Sequence, residues 1–266
     1  MTHPGSGMKA LTPPLTCTST KMNLGLADTL RWLDDVVLPR APELARLSFF
    51  ACLPHPLLTV ARARLGDCGV GVGAQNCWFE GGAVTGEVSA DLLAELGCRH
   101  VMLGHAERRR LFGEDDDLIA RKVAAAFDAG LVPLLCVGED TRLGPEDAAR
   151  HVVRQAAVLA RLGTGRPSLV LYEPAWAIGG DHGASPGHAA HVLEALHTAL
   201  GTARTRFLYG GSVTPGTYTA LRRAAPWDGV AVGRAAQDPG MLHEVTAELL
   251  GSGSDPSASR SPSARS

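Results

Sequence analysis

A single carboxylate, Glu173, stands where a proton-abstracting base would be useful. It follows a short apolar run at residues 168–172 that reads as a buried strand, and Pro174 ends that strand because proline has no N–H to donate. Residues 175–180 are small and mostly apolar, end in two glycines, and carry one bulky side chain, Trp176. A carboxylate at a strand end, followed by a segment able to swing over it, is the arrangement of a general base beneath a lid. The competing interpretation is a solvated glutamate at the end of a buried strand.

Two further side chains extend the hypothesis of a general base. His105 and Lys21 each follow a different short apolar run of the chain. A base, a hydrogen-bond donor and a fixed positive charge together suit the removal of a proton next to a carbonyl, where negative charge develops on oxygen as an enediolate forms. Taken singly, Lys21 is also explained as a solvated lysine, and His105 as a buried histidine with satisfied hydrogen bonds. The three together favour a catalytic site.

Glycines in the last third of the chain predict an anion-binding site. Gly211 and Ser212 follow one apolar run and Gly233 follows the next, so the backbone N–H groups of these turns are free to approach an anion. Gly179, in the predicted lid, would add another N–H group when the lid closes. Arg234 comes directly after Gly233 and would supply a guanidinium group. These residues favour a phosphorylated small-molecule substrate.

Composition argues against several other kinds of ligand. The formal net charge is -2, so no excess of basic residues indicates nucleic acid or an anionic membrane. No apolar run reaches the roughly 18 residues of a membrane helix, and the N-terminus lacks the pattern of a secretory signal. Six scattered cysteines without a C-x-x-C pair indicate reduced core thiols and a cytoplasmic protein, with a zinc site as the weaker alternative. His188 and His191 stand on a predicted helix and are interpreted as part of its solvated face.

A repeating architecture is needed to bring these side chains together. Short apolar runs, each followed by helical signals, recur near residues 15–20, 47–52, 69–74, 99–104, 131–137, 168–173, 206–210 and 229–232. Parallel strands need crossover connections, and eight strand–helix repeats close a (β/α)8 TIM barrel of about 250 residues. A doubly wound open sheet would need a glycine-rich turn after the first strand, which residues 18–21 do not provide. We therefore predict a single α/β barrel with its chemistry at the C-terminal strand ends.

The boundaries of this barrel and of several helices can also be predicted. The barrel is expected to span residues 15–250, between a flexible leader at 1–14 and a disordered tail at 251–266, because the composition of the two ends buries too little apolar area to order them. Ser89, and either Asp116 or Asp117, have side chains suited to cap a helix N-terminus. Prolines that suit a first helical turn stand at positions 145, 186 and 239.

Several motifs carry a family resemblance. They are KMN at 21–23, GAQN at 73–76, GAVTGE at 82–87, GHAERR at 104–109, CVGE at 136–139, YEPAWAIG at 172–179 and YGGSV at 209–213. On these motifs the chain, from about residue 15 to 250, resembles the triosephosphate isomerases, which interconvert dihydroxyacetone phosphate and glyceraldehyde 3-phosphate. The resemblance implies Glu173 as base, His105 as neutral electrophile and Lys21 as electrostatic clamp, the base and neutral histidine being the known pairing of that family.

The resemblance has implications beyond these catalytic residues. It implies Glu107 as the ion-pair partner of Lys21, and Trp176 as a supporting residue of the lid. It also implies a homodimer in which the loop around Thr85 reaches into the neighbouring subunit's active site. No cofactor and no metal are expected.

Departures from the family pattern bear on the choice of substrate. Ser19 and Thr20 stand where the family has Asn and Trp, Ala106 where it has Ser, and Arg234 where it usually has a second Gly. The serine leaves space, or room for a water, beside the substrate oxygen, and the arginine adds a bidentate cation to the phosphate site. Ser19 and Arg234 together resemble the branch of the family that acts on erythrulose phosphate, a four-carbon ketose phosphate. Triose phosphate and the four-carbon substrate are both open. A barrel that binds a sugar phosphate without converting it is a further alternative, which the presence of base, histidine and lysine disfavours.

Overall fold

Eight parallel strands close into a barrel. The computed structural model describes residues 11–163, 165–180 and 182–252. The strands are β1 (Leu15–Ser19), β2 (Phe50–Leu53), β3 (Gly71–Ala74), β4 (His100–Leu103), β5 (Val132–Val137), β6 (Ser168–Tyr172), β7 (Thr205–Tyr209) and β8 (Gly229–Ala231). Each strand overlaps one of the predicted apolar runs, with β2 ending one residue after its run and β7 beginning one residue before its run, which confirms the (β/α)8 barrel. The doubly wound alternative is wrong because β8 pairs with β1.

Side-chain alternation along the strands gives the barrel its inner and outer layers. Leu169 and Leu171 of β6 pack inside the barrel, whereas Val170 and Tyr172 pack outward in the layer shared with the helices. The next residue on the interior side is Glu173, which is thereby directed over the mouth of the barrel. The barrel closes tightly at Gly229, since a Cβ there would lie 1.9 Å from the carbonyl oxygen of Leu15 on β1.

Helices cover the outside of the barrel. They are α1 (Leu26–Trp32), α2 (Ala41–Arg46), α3 (Leu58–Leu65), α4 (Ala90–Glu95), α5 (Ala106–Phe112), α6 (Asp116–Asp128), α7 (Pro145–Leu162), α8 (Pro186–Leu200), α9 (Thr217–Ala224) and α10 (Pro239–Ser252). Ser89 caps α4 as predicted, by accepting from the N–H of Leu92. The cap of α6 is Asp115, so the prediction of Asp116 or Asp117 is wrong by one or two positions. The helices α7, α8 and α10 begin at the predicted prolines.

The ends of the described chain adjoin the predicted leader and tail. Gly251 and Ser252 belong to α10, so the final helix extends past the predicted boundary at residue 250. At the other end, Arg206 donates to the carbonyl oxygen of Leu11 over 3.1 Å, which ties that residue to β7. The rest of the predicted leader and tail, residues 1–10 and 253–266, lies outside the described residues.

Three observations bear on the other classes considered from the sequence. Within the described ranges, no helix is both long enough and apolar enough to cross a membrane. In the same part of the chain, no group of three or more His, Cys, Asp or Glu side chains is arranged to hold a metal ion. The six cysteines all lie in described segments and are free thiols, and most of them are buried.

Candidate active site

The carboxylate of Glu173 lies over the barrel mouth, where it is largely shielded from solvent. The backbone N–H of Glu173 donates to the carbonyl oxygen of Val137 over 2.8 Å, which continues the pairing of β6 with β5 by one residue. At Gly138 a Cβ would lie only 2.1 Å from the carbonyl oxygen of Glu173, so the chain after β5 approaches this closely only with glycine. The side chain of Glu173 is 15% exposed. A carboxylate held in this way has a fixed position and few competing waters.

His105 faces Glu173 with a defined tautomer. Its Nε2 atom lies 3.2 Å from Oε2 of Glu173. Its Nδ1 atom accepts a hydrogen bond of 3.1 Å from the backbone N–H of Glu107, where His105 serves as the N-cap of α5. A nitrogen that accepts a hydrogen bond carries no proton, so the ring proton is on Nε2 and points into the mouth. The structure thus provides a neutral histidine whose donor faces the base.

Lys21 is held beside this pair by Glu107. The Nζ atom of Lys21 lies 2.5 Å from Oε1 of Glu107. Burial acts to raise the pKa of Glu107, but the hydrogen bond from Lys21, with the positive charges of Lys21 and Arg110, lowers it below its usual value. Lys21 also has a φ of +49°, a left-handed backbone conformation that typically costs a non-glycine residue about 1–3 kcal/mol. The fold therefore accepts local strain to place this ammonium group.

Ser19 is tied into the wall of the site between β1 and β3. Its Oγ atom accepts from Nε2 of Gln75 over 3.2 Å and from the backbone N–H of Lys21 over 3.3 Å. Both of those contacts use the lone pairs of the hydroxyl oxygen, which leaves its hydrogen available to a substrate oxygen. Gln75, from the GAQN motif at 73–76, thereby joins the site. Asn76, next to it, instead accepts from the buried Lys122 and supports the fold outside the mouth.

The other two departures from the family pattern lie close to these residues. Thr20 is buried, and its hydroxyl has no hydrogen-bond partner among the described residues. Ala106 lines a small cavity that also borders Glu173 and Gly138. Neither side chain brings a new charged group to the mouth, so both change the shape of the site more than its electrostatics.

The predicted anion site is formed by backbone at the ends of β7 and β8. Across the described ranges, the backbone N–H groups of Gly211, Ser212 and Gly233 have no hydrogen-bond partner, and neither does that of Gly179 in the lid. Ser212 has a φ of +49°, the second site residue held in the left-handed region. Unpaired N–H groups on adjacent turns form a cradle that suits a phosphate. Arg234 follows this cradle at the start of a short 3-10 helix, Arg234–Gln237, and is exposed.

The lid is defined as residues 174–184, of which residue 181 lies outside the described residues. It contacts the chain after β5 on one side and the turn after β7 on the other. On one side, Trp176 donates from Nε1 to Oε1 of Glu139 over 3.0 Å. On the other side, Ser212 Oγ lies 2.7 Å from the carbonyl oxygens of Ala177 and Gly180.

The tip and the end of the lid contact residues at the ends of β8 and β7. Nη2 of Arg234 contacts the carbonyl oxygen of Gly179 at 3.4 Å. The end of the lid is held by Tyr209, whose hydroxyl accepts from the N–H of Ala184 over 2.8 Å. Together with the contacts of Trp176 and Ser212, these bonds keep the segment over the site, as its sequence predicts.

Two residues have surroundings that the sequence did not indicate. Glu139, the last residue of the CVGE motif, is 1% exposed and lies beneath the lid. His188, interpreted as part of a solvated face, is in fact mostly buried, and its Nε2 atom lies 3.1 Å from the hydroxyl of Tyr172. That interpretation is wrong for His188, because the first turn of α8 packs against β6; it holds for His191, which is exposed. The sequence gives one signal for the burial of His188. This histidine comes two residues after Pro186, at the start of α8 and soon after the lid.

Thr85 lies apart from these residues within the single chain. It is exposed on the connection between β3 and α4, and none of the described hydrogen bonds joins it to Lys21, His105 or Glu173. Its predicted role concerns a neighbouring subunit and so is not tested by one chain.

Comparison with known proteins identifies the family to which the chain is related. The family model of triosephosphate isomerase matches residues 14–248. A triosephosphate isomerase from Alkalilimnicola ehrlichii is 40% identical over 250 residues, covering 88% of this chain and 98% of the relative. One from Symbiobacterium thermophilum is 37% identical, covering 85% and 93%. An L-erythrulose-1-phosphate isomerase from Pectobacterium atrosepticum is 39% identical over 245 residues, covering 87% and 94%. With its closed barrel and the glutamate, histidine and lysine gathered at its mouth, the chain belongs to the triosephosphate isomerase family.

Proposed function

We propose that the protein is an aldose–ketose isomerase that moves a proton between neighbouring carbons of a small sugar phosphate, with triose phosphate as substrate. The observation that carries the proposal is the contact between His105 and Glu173, in which a neutral ring directs its Nε2–H toward a shielded carboxylate 3.2 Å away. A substrate that takes the place of this contact, with a carbon against the carboxylate and the adjacent carbonyl oxygen against Nε2–H, would meet a base and a hydrogen-bond donor together.

In the proposed reaction Glu173 acts twice, and His105 and Lys21 act on the intermediate between its two steps. Glu173 takes a proton from the carbon next to the carbonyl, and the electron pair left behind forms an enediolate with its negative charge on oxygen. The Nε2–H group of His105 donates to that oxygen, and the ammonium of Lys21 stabilises the charge. A proton passes from the hydroxyl oxygen of the first carbon to the negatively charged oxygen by way of Nε2 of His105. Glu173, whose proton exchanges with solvent while it is on the carboxyl group, then delivers a proton to the neighbouring carbon, which converts ketose to aldose without any change in overall composition.

The phosphate group would be held on the opposite side of the mouth. The unpaired N–H groups of Gly211, Ser212 and Gly233 form the cradle, and that of Gly179 adds to it from the lid. Arg234 contributes a positive charge next to the cradle. The lid in place would keep the enediolate from escaping into solution, where it would eliminate its phosphate.

A four-carbon ketose phosphate is the second candidate substrate, and two residues favour it. Ser19 is shorter than the family's asparagine, so it leaves room for an additional hydroxymethyl group, and Arg234 strengthens the hold on phosphate. The relative from Pectobacterium atrosepticum is named for such a substrate. The reaction class is the same for both substrates, so this alternative concerns only the size of the pocket.

A direct comparison of substrates tests the proposed function. The purified protein is mixed in turn with dihydroxyacetone phosphate and L-erythrulose 1-phosphate, and the rate of aldose formation gives kcat/KM for each. We expect turnover of at least one, with the higher kcat/KM identifying the natural size of substrate. Saturable binding of both compounds without conversion of either would instead establish a binding protein.

We also infer that two copies of the chain associate, in the cytoplasm. Large apolar side chains stand exposed near Lys21 and on α5, with Met22 at 92%, Leu111 at 65% and Phe112 at 66% exposure. A partner covering them would explain this exposure. The free cysteines support a reducing compartment.

The oligomeric state tests this association. Sedimentation should give a dimer for the wild type and a weakened one for Phe112→Glu. Leu162→Glu, at an exposed position at the end of α7, serves as the control. A monomer at micromolar concentration would contradict the inference.

A further inference from the structure

We propose that Trp32 is a positioning residue for the phosphate cradle, because its indole N–H holds the turn that follows β8. The proposal rests on the proposed function, since it names the residue that fixes part of the phosphate site. Trp32 is the last residue of α1 and lies outside the motifs on which the family resemblance rests.

The contact is a buried hydrogen bond between two distant parts of the chain. Nε1 of Trp32 donates to the carbonyl oxygen of Ala236 over 2.8 Å. The exposed fractions of the two residues are 4% and 0%, so water does not compete for either group. A buried carbonyl that loses its donor bears the full cost of desolvation. The bond therefore constrains the backbone to which Ala236 belongs.

Ala236 is placed to transmit this constraint to the cradle. Its backbone N–H donates to the carbonyl oxygen of Gly233 over 3.0 Å, at the start of the 3-10 helix Arg234–Gln237. Gly233 supplies one N–H group of the proposed cradle, and Arg234 supplies the guanidinium next to it. Both of these residues are exposed, whereas Ala236 is buried. A short turn with exposed residues opens easily unless it has a buried anchor, and Ala236 with Trp32 provides one.

Trp32 can serve as an anchor because it is itself firmly held. Its side chain is buried in the layer that the barrel shares with the surrounding helices. Directly after it the chain forms a π-helical segment, Leu33–Val37, of a kind that is frequent at functional sites. Asp34 in this segment accepts from both Nε and Nη2 of Arg64 on α3. The helix that carries Trp32 is thus tied to the next helix-bearing repeat.

The far end of the segment after β8 has contacts of its own. Nη2 of Arg40 donates to the carbonyl oxygen of Pro239 over 2.9 Å. The side chain of Asp238 accepts from the N–H of Met241 over 2.8 Å, in the first turn of α10. Loss of the bond from Trp32 should therefore loosen the turn at residues 233–237 and leave α10 in place.

The expected consequence is weaker binding of phosphate with an unchanged chemical step. Without the indole N–H the turn samples other orientations, and a bound phosphate must bear the entropic cost of ordering it. The phosphate group is held alike in the substrate and in the transition state, so KM should rise while kcat stays the same. Affinity should fall by about two- to tenfold, the usual contribution of one hydrogen bond.

Calorimetric titration with inorganic phosphate and steady-state kinetics test this on the full-length protein. Trp32→Phe retains an aromatic ring but has no N–H. The control is Trp78→Phe, because the indole N–H of Trp78 follows β3, away from β8, and has no hydrogen-bond partner among the described residues. We expect Trp32→Phe to weaken phosphate binding and to raise KM by the same factor of about two to ten, with kcat unchanged. Trp78→Phe should match wild type in all three quantities.

Hydrogen–deuterium exchange without substrate shows whether the effect is local. In Trp32→Phe, the peptide covering residues 233–242 should exchange about two- to tenfold faster than in wild type, whereas residues 100–112 should be unchanged. A second variant replaces Trp32 by benzothienylalanine, in which sulfur stands in place of the indole N–H. This side chain keeps the shape of tryptophan, so it gives the same test if Trp32→Phe does not fold.

The outcomes separate this proposal from the proposed function. Unchanged exchange at residues 233–242, or faster exchange throughout the chain, would overturn the role of Trp32 as a positioning residue. So would a fall in kcat without a rise in KM. Failure of the wild type to bind phosphate would overturn the cradle and this proposal together. Phosphate binding that depends on Trp32 in a protein without isomerase activity would contradict the proposed function alone.

Discussion

The two halves of the barrel mouth are constructed in different ways. In the proton-transfer half, formed by the ends of β1, β4 and β6, side chains hold one another: Lys21 contacts Glu107, and His105 faces Glu173. In the phosphate half, formed by the ends of β7 and β8 with the lid, the backbone provides most of the polar groups. There the side chains of Ser212 and Arg234 contact carbonyl oxygens of the lid.

This difference separates the residues proposed to carry out the reaction from those proposed to select the substrate. A reaction that needs a base and a donor to reach neighbouring atoms of one substrate tolerates little change in the residues that position them. A cradle of backbone N–H groups suits any phosphate, so we expect substitutions around it, such as Arg234, to alter affinity and substrate size without altering the reaction. Ser19 and Arg234 both lie at the mouth of the barrel, and Glu173, His105 and Lys21 are all present beside them. Substitutions in the two halves should therefore have separable effects.

The largest effect is expected for Glu173→Gln. The amide has nearly the same shape but cannot accept the proton, so kcat should fall by about 10²–10⁴, the usual contribution of a general base. Binding of inorganic phosphate should be unchanged, because the cradle lies in the other half. Steady-state kinetics and a phosphate titration measure the two. Turnover equal to wild type would place the base elsewhere.

Lys21→Ala should come next, with a loss on the order of 10²–10³ in kcat/KM, because it removes a charge that stabilises the developing oxyanion. Thermal stability should change little, since the ion pair with Glu107 is partly exposed and screened by solvent. Glu107→Gln serves as the matched variant: it leaves the ammonium in place and should cost less activity. A larger loss from Glu107→Gln than from Lys21→Ala would show that Glu107 has a role of its own.

More of the proton-transfer half than of the phosphate half could be predicted from the sequence. Apolar runs locate strands reliably because burial on both faces demands them, and residues that follow parallel strands meet at one edge. Glu173, His105 and Lys21 could therefore be grouped into one site from the sequence alone. The contacts between Arg234 and the lid and the burial of His188 depend on how α8 and the loops pack, which no local pattern records. The left-handed backbone of Lys21 is likewise imposed by tertiary structure, since lysine has no preference for it.

The double variant Ser19→Asn with Arg234→Gly tests the phosphate half. Asparagine refills the space that a four-carbon substrate would use, and overpacking there typically costs about 1–3 kcal/mol. Loss of the arginine should weaken both substrates through the shared phosphate. The ratio of kcat/KM for triose phosphate over the four-carbon ketose phosphate should rise by about tenfold. An unchanged ratio, in a protein that already prefers triose phosphate, would mean that these departures do not set specificity.

The smallest effect on activity is expected for a substitution of His100. This residue begins β4 and so lies on the floor of the barrel, at the end opposite the mouth. Its ring stacks on Phe50 with centroids 3.8 Å apart, and burial, with the charge of Arg99, lowers its pKa to about 3. The unfolded chain binds this proton near pH 6.5, so the folded state loses stability as pH falls from about 6.5 toward 3. His100→Leu should reduce that loss in acid denaturation while leaving kcat/KM for both substrates unchanged. A changed kcat/KM would show that the floor and the mouth are coupled.

The claim that Glu173 moves a proton through an enediolate is tested most directly by solvent exchange. The protein is incubated with its preferred ketose phosphate in deuterated water, and the hydrogens on the carbons beside the carbonyl are followed by proton NMR. We predict that deuterium appears at the carbon beside the carbonyl as aldose forms, and that Glu173→Gln slows exchange and conversion by the same factor. Conversion without any deuterium in product or remaining substrate would contradict this account, because the hydrogen would then pass directly between the two carbons.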